Sequence, residues 1–261
     1  ALAGKLLGIQ VFYHIHETSI RPRPLKVFLR WIVEICSSNN IFVSHFLARA
    51  EGFSNVGGKV VYNSIPREMS SVAARHVYQP LPDGRFGVLM ICSLKTYKGV
   101  NEFVQIARLL RGHQVFKFTL ILGTTQTEVS DFFSSTTIPD NLTIIFGCAD
   151  VMPYYQKASV LLSLSKPDEW VETFGLTILE GLSFGIPCII PPVGGPIELV
   201  SEDCEGYLMA SDRVEDISAK LVFLRENSDV CYRLSNAAKV KSLNFSSEKF
   251  ESGVLGVFDG I

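Results

Sequence analysis

The sequence predicts an α/β protein built on parallel sheets: one complete doubly wound domain, preceded by part of a second. Three observations carry this prediction. From Phe86 onward, short apolar runs alternate with helical patterns almost without interruption. The runs are continuous rather than alternating apolar and polar, as in strands covered on both faces. The first 65 residues show the same alternation, but with only three strands.

The elements follow in order. VFYHIHE, IFVSH and KVVYNSI read as three strands, with helices in PLKVFLRWIVEICSS and HFLARAEG. The opening ALAGKLLG reads as the end of a helix. Three strands are few for a doubly wound domain, so a further N-terminal portion is expected upstream, and residues 1–65 are taken as a partial domain. Residues 66–85, PREMSSVAARHVYQPLPDGR, have weak periodicity and three prolines and read as a linker. Six strands come next: FGVLMICSL, FKFTLILG, LTIIFG, VLLSLS, IPCIIPP and GYLMA. Five helical patterns lie between them: GVNEFVQIARLLRG, TEVSDFFSS, MPYYQKA, FGLTILEGLSFG and PIELVSE. In the first of these Val100, Phe103, Val104, Ala107 and Leu110 share one face. Six strands with five crossovers complete one doubly wound domain. It is assigned residues 86–242, including the helices VEDISAKLVFLREN and DVCYRLSNAAKVKS, and a last helix occupies 243–261.

Composition narrows the function classes. The 261 residues are 47% hydrophobic and 19% charged, a globular balance with enough chain for a sizeable core. A formal net charge of -2 argues against a dedicated nucleic-acid binder. Six scattered cysteines form no CxxC pair and no cluster with histidine, the pattern of buried, reduced thiols in a cytoplasmic protein without a zinc site. No apolar run reaches the length of a membrane span, and ALAGKLLGIQ lacks the length and flanks of a signal peptide.

Four stretches carry chemistry. In DEWVETFGLTILEGLSFGIPCIIPPVGG, a helix starts near Phe174-Gly175 just beyond a strand. That is the carboxyl end of the sheet, where open α/β folds bind ligands, and the free N–H groups of such a helix suit a phosphate. Glu172 precedes the helix and Glu180 lies two turns inside it, in apolar company, where an ionised carboxylate is costly unless paired. Each can accept hydrogen bonds from sugar or ribose hydroxyls. Spacing alone fits structural ion pairs or caps equally well. In ICSLKTYKGVNEF, a strand and a lysine-bearing turn precede Gly99, so Lys98 lies at the same sheet edge, either free to hold a diphosphate or simply solvated. FYHIHETS ends a strand on His16 and Glu17, and His16 is either structural or faces a cleft. RPRPLKVFLRW sets Arg21, Arg23, Lys26 and Arg30 before Trp31, as a solvated face or as a contact for anionic lipid. GxGxxG, GxxxxGK[ST] and GxSxG are all absent.

Taken together, these stretches resemble the retaining glycosyltransferases of the GT-B fold, family 4, over nearly the whole chain. The most specific element is Glu172-x7-Glu180 within ETFGLTILEGLSFGIPCI, followed by VGGPIELV. FVSHFLAR, KVVYNSI, SLKTYKG, LTIIFG and MPYYQKASVLLSLS support it in the right order. KPDEWVETFG is similar to bacterial enzymes of polysaccharide assembly, as for capsule or lipopolysaccharide.

The resemblance implies two Rossmann-like domains facing across a cleft, with a nucleotide-diphosphate sugar, UDP- or GDP-linked, bound mainly by the C-terminal one. It implies a glycan or lipid-linked acceptor, no cofactor and no metal. The cysteine pattern is that of a cytoplasmic protein, and the basic stretch RPRPLKVFLRW supports at most a peripheral contact at the inner face of the membrane. Residue by residue, Glu172 would bond the donor sugar and Glu180 the ribose. The amides of Phe174, Gly175 and Leu176 would face sugar and phosphates. Lys98 would hold the diphosphate, and His16 would sit near the transferred sugar. Gly147, at the end of LTIIFG, joins the donor-binding set.

The chain departs from the family at Ser93, where an arginine usually provides a second cation, and Lys95 is the available substitute. With its N-terminal side short, the chain also fits a fragment that binds nucleotide sugar without turnover. A sugar-nucleotide epimerase of the same fold is a further alternative.

Overall fold

The computed structural model describes residues 1–18, 22–53, 56–79, 81 and 83–258. The N-terminal unit runs α1 (Leu2–Leu6), β1 (Phe12–Ile15), α2 (Arg23–Cys36), β2 (Asn39–Phe42), α3 (His45–Glu51) and β3 (Gly58–Val60). Its three strands are parallel, in the order β1-β2-β3, with Phe12 opposite Asn39 and Asn40 opposite Gly58. Ser44, two residues beyond β2, caps α3, its hydroxyl accepting from the Leu47 N–H.

The chain then continues through α4 (Arg67–Arg75), β4 (Phe86–Cys92), a 3-10 turn at Thr96–Lys98, α5 (Val100–Leu109), β5 (Phe116–Leu122), α6 (Gln126–Phe132) and β6 (Leu142–Phe146). After these come α7 (Met152–Tyr155), β7 (Val160–Leu162), α8 (Leu176–Ser183), β8 (Cys188–Ile190), a 3-10 turn at Gly195–Glu198, β9 (Gly206–Leu208), α9 (Val214–Glu226), α10 (Ser228–Ser242), a third 3-10 turn and α11 (Ser247–Phe258). All six strands of this sheet are parallel, in the order β6-β5-β4-β7-β8-β9. Counted within the sheet this is 3-2-1-4-5-6, the doubly wound order whose switch point lies between β4 and β7.

Both faces of the sheet are covered, which is why β7 and β8 are buried at every residue. One core joins Val88 and Met90 of β4 to Phe103 and Ile106 of α5, Ile217 and Leu221 of α9 and Leu234 of α10. The other joins Leu89 and Ile121 to Tyr155, Ile178, Leu182 and Phe184, and continues into Phe42, Val43, Leu47, Ile65 and Met69 of the N-terminal side. The two sheets are therefore bridged by one continuous apolar cluster. Helix α11 lies on the three-stranded sheet, where Val254 and Val257 pack on Ile41 and Val61. The Phe12 and Phe258 rings meet edge-on at 4.6 Å.

The elements differ from the sequence reading in four places. Residues 66–85 are not a bare linker: they hold the nine-residue α4, whose Met69 and Ala73, four apart, are buried. PIELVSE forms only a 3-10 turn. Among the cysteines, Cys36, Cys188 and Cys231 are buried, but Cys204 is exposed. On α2 the basic residues are not simply solvated. Lys26 and Arg30 both pair with the buried Glu51, Arg30 at 2.7 Å, while Trp31 on the same helix stays exposed. Arg21, of the same stretch, lies outside the described residues. No helix among the described residues is long and apolar enough to cross a membrane.

Candidate functional site

A cleft of about 210 Å³ opens at the switch point, where the carboxyl ends of β4 and β7 diverge. Cys92 and Ser93 line it from β4, Leu164 and Ser165 from the end of β7, and Gly175, Leu176 and Thr177 from the first turn of α8. Glu172 and Lys98 complete the wall, and Lys98 Nζ donates to Glu172 Oε2 at 2.6 Å.

Lys98 is aimed by its turn. The 3-10 turn ends on Gly99, and the Tyr97 carbonyl accepts from the Lys166 N–H at 2.8 Å, which ties this turn to the loop after β7. Lys166 in turn pairs with Glu102 of α5 at 2.7 Å. Trp170, in the same loop, stacks on Tyr97 and lays its ring 5.6 Å from Lys98 Nζ. The lysine side chain is only 17% exposed and Glu172 28%, so this pair is partly withdrawn from water and weakly screened.

Glu172 is held from both sides by the strap Glu172-Thr173-Phe174. The Glu172 carbonyl accepts from the Gly195 N–H at 2.9 Å. The Thr173 carbonyl accepts from the Ser44 hydroxyl at 2.6 Å, and the Thr173 hydroxyl donates to the His16 carbonyl at 2.7 Å. Gly195 is required by this approach: a β-carbon there would stand 2.0 Å from the Thr173 carbonyl oxygen. Gly175 caps α8 at φ +100°, a conformation that L side chains rarely adopt, and leaves the first N–H groups of the helix at the cleft.

Glu198, from the Gly195–Glu198 turn, braces the two units. Its carboxylate accepts from the N–H groups of His45 and Phe46, at 3.0 and 2.7 Å, and from the Tyr62 hydroxyl at 2.8 Å. An acidic group at the start of α3 also complements the helix dipole.

The structure thus brings Glu172, Lys98, Gly175 and Leu176 to one cleft and places the other predicted residues elsewhere. Phe174 turns its ring into the bridge between the units, with centroids 6.1 Å from Tyr62 and Phe245. Glu180 lies one turn beyond Leu176 and Thr177 on α8. Its Oε2 accepts from the Tyr155 hydroxyl at 2.6 Å, and burial raises its pKa against the opposing effect of that bond. Lys95 is exposed and outside the cleft lining; the nearby charge it acts on is Glu128, the capping residue of α6. Gly147 follows β6 in open space, also outside the lining. His16 lines a second cavity of about 270 Å³ between β1, α2 and α3, and its ring stands 4.1 Å from that of His14.

Sequence reasoning did not single out Tyr155, Trp170, Glu17 or Glu198 as site residues. Two of them stand beside residues it did name: Glu17 follows His16, and Trp170 precedes Glu172 by two. Burial lifts the Cys92 thiol, in the cleft wall, to about 12.

A family model, glycosyl transferases group 1, matches residues 75–241, more than half of the chain. The chain belongs to this family. An uncharacterized glycosyltransferase of Methanocaldococcus jannaschii is 30% identical over 110 residues, 42% of this chain and 30% of that protein. The lipopolysaccharide core biosynthesis mannosyltransferase LpsB of Rhizobium meliloti is 22% identical over 139 residues, 52% of this chain and 38% of the relative. The matched region is thus well under half the length of either relative.

Among solved structures, Anabaena Alr3699/HepE in complex with UDP and glucose superposes with a TM-score of 0.81 at 16% identity, over 100% of this chain and 74% of that one. A glycosyltransferase from Rickettsia africae gives 0.79 at 17% identity, over 99% and 72%. At such identities the likeness speaks for the fold, which is α/β of the GT-B type.

Proposed function

We propose that the chain carries the donor side of a retaining glycosyltransferase, which moves a sugar from a UDP- or GDP-linked donor to a glycan or lipid-linked acceptor. The observation that carries this reading is the convergence of a lysine, a carboxylate and a helix N-terminus on the switch-point cleft. A diphosphate entering the cleft takes Lys98 from Glu172 and meets the free N–H groups of α8. Glu172, released, accepts hydrogen bonds from the sugar hydroxyls. Glu180, held by Tyr155, offers its second carboxylate oxygen to a ribose diol.

In the transfer step the acceptor oxygen bonds to the anomeric carbon. The bond from that carbon to the phosphate oxygen breaks, and its electron pair leaves with the nucleoside diphosphate. The acceptor proton passes to the departing phosphate oxygen on the same face, which preserves the anomeric configuration. Lys98 and the α8 terminus stabilise the charge that develops on the diphosphate, and the fixed strap positions the sugar.

That Anabaena HepE was solved with UDP and with UDP-glucose supports a nucleotide-sugar donor, and LpsB by its name supports a role in lipopolysaccharide or related polysaccharide assembly. The same reading puts the enzyme in the cytoplasm, with its acceptor side near the membrane.

The test is to incubate the protein with UDP- and GDP-sugars plus glycoside acceptors and to follow the products by NMR. A glycoside with the donor's anomeric configuration is expected. An inverted product would refute the retaining step. An isomerised sugar nucleotide would identify an epimerase instead, and no consumption of any donor would reject the transferase reading for this chain.

A further inference from the structure

Glu17 is an exposed residue that follows His16, whose backbone is tied to the strap carrying Glu172. It lines the N-terminal cavity together with His16, Leu29, Val33 and Phe53. Its neighbour His16 is bonded through its carbonyl to Thr173, the residue after Glu172. The bolt that fixes Glu172 therefore also fixes the backbone just before Glu17. The Glu17 carboxyl is near enough to the donor cleft to feel both of its charges: partial withdrawal from water raises its pKa first, Glu172 raises it further, and Lys98 opposes them. Each of the other charged residues lining that cavity is already engaged. Lys26 and Arg30 are bound to Glu51, and Lys26 also donates to the Thr18 carbonyl. Glu17 has no hydrogen bond or ion pair among the described residues.

We propose that Glu17 is an acceptor-orienting residue: its carboxylate, at the mouth of the N-terminal cavity, accepts a hydrogen bond from an acceptor hydroxyl other than the attacking one and so turns the attacking oxygen toward the donor's anomeric carbon. This assignment rests on the nucleotide-sugar reading of the cleft. A carboxylate accepts only, so it selects an acceptor carrying at least two hydroxyls, a sugar or polyol. The apolar walls behind it, Leu29, Val33 and Phe53, suit an acceptor with an apolar part. The proton of the attacking hydroxyl still goes to the departing phosphate, and Glu17 gains and loses none.

The experiment uses the full chain, with UDP-glucose as donor probe and octyl glucoside and glycerol as acceptor probes. It measures the ratio of glycoside formed to glucose released by water, together with the affinity for UDP by calorimetry. Glu17→Gln should lower the transfer-to-hydrolysis ratio about tenfold, through a raised acceptor KM, because the charge that strengthens the bond is lost and an NH2 donor replaces one of the two acceptor oxygens. UDP affinity should stay as in the parent protein, and Glu17→Asp should recover part of the ratio.

An unchanged ratio in Glu17→Gln overturns the proposal. So does an equal fall in transfer and hydrolysis, which would move Glu17 to the donor, or a parallel loss of UDP affinity, which would make its role structural. Hydrolysis by the parent protein with no transfer to either polyol also counts against it. Failure of the parent protein both to bind UDP and to consume UDP-glucose would defeat the reading of the cleft itself, and that result is visible without any variant.

Discussion

Glu180→Gln separates a carboxylate kept for a ligand from one kept for the fold. In the folded protein Glu180 receives the Tyr155 hydroxyl at 2.6 Å, and its pKa is raised by burial. A glutamine retains an oxygen that can accept from Tyr155 and removes the charge that burial penalises. Stability of Glu180→Gln should therefore change by less than about 1 kcal/mol, or rise. Tyr155→Phe, in contrast, strips a buried carboxylate of its donor and should cost about 1.5–3 kcal/mol. At about 2–4 °C per kcal/mol for a chain of this size, that loss is readily seen in a melting curve.

Binding should move the other way. On the proposed reading Glu180→Gln removes the charge from a bond to the ribose, and with bonds to charged groups worth about 1.5–3 kcal/mol the loss in nucleotide affinity should be about tenfold and at most about 150-fold. The pH dependence has a definite sign. A carboxyl whose folded pKa lies above its unfolded value contributes stability below the unfolded value, and that stability is lost as pH rises through the folded one. Glu180→Gln should therefore lose a component of stability that is present at acidic pH and fades toward neutral, so its melting temperature should gain on that of the parent protein as pH rises from acidic to neutral. Calorimetric titration with UDP and GDP, alongside thermal melts of both variants, reads all three effects. Unchanged nucleotide affinity in Glu180→Gln, or a stability loss as large as that of Tyr155→Phe, would refute the reasoning and make Glu180 structural.

Four further outcomes follow from the same geometry. Lys98→Ala should weaken binding of the nucleoside diphosphate more than of the nucleoside, whereas Glu172→Gln should spare diphosphate affinity and lower turnover about 10²–10³-fold; titrations and initial rates distinguish them. Gly195→Ala forces a β-carbon to 2.0 Å from the Thr173 carbonyl oxygen, so urea denaturation should show a loss of about 1–3 kcal/mol. Glu198→Ala leaves the N–H groups of His45 and Phe46 without their acceptor, and should cost about 1–2 kcal/mol in the same assay. His14 and His16 are both held below the ordinary histidine value by partial burial, and His14 also by His16. Histidines with lowered folded pKa values favour the unfolded state once pH falls below about 6.5. The melting temperature should then drop between pH 7 and 5.5, and the double His14→Gln, His16→Gln variant should flatten that slope.

The fold was legible because a parallel sheet covered on both faces leaves continuous apolar runs, and VLL and CII are buried at every residue in the structure. The helix in 66–85 was not legible. Its buried stripe is only Met69 and Ala73, a single i, i+4 pair among prolines and polar residues. PIELVSE, by contrast, reads as an amphipathic helix. It stops after one turn, and the carboxylate of Glu198 is spent on the start of α3, 153 residues earlier in the chain.

The site was legible as far as single elements carry it: a strand end, a turn lysine and a helix start are local patterns. Partnerships across elements were not. That Lys98 pairs with Glu172, that Tyr155 holds Glu180 and that Thr173 bolts to His16 are consequences of packing, at separations of 74, 25 and 157 residues. Lys95 shows the same limit from the other side. Three positions before Lys98, where the 3-10 turn ends in the cleft, its side chain is already exposed, so spacing alone does not make it the missing second cation.

The most direct test of the central claim, that the β4/β7 cleft receives the diphosphate of a sugar nucleotide, is a thermal-shift panel with UDP, GDP and ADP and their sugars on the parent protein and Lys98→Ala. A ligand bound only by the folded state raises its melting temperature by mass action. The account predicts a shift selective for one nucleotide that disappears in Lys98→Ala. A shift that survives unchanged in Lys98→Ala, or no shift with any nucleotide, would contradict it.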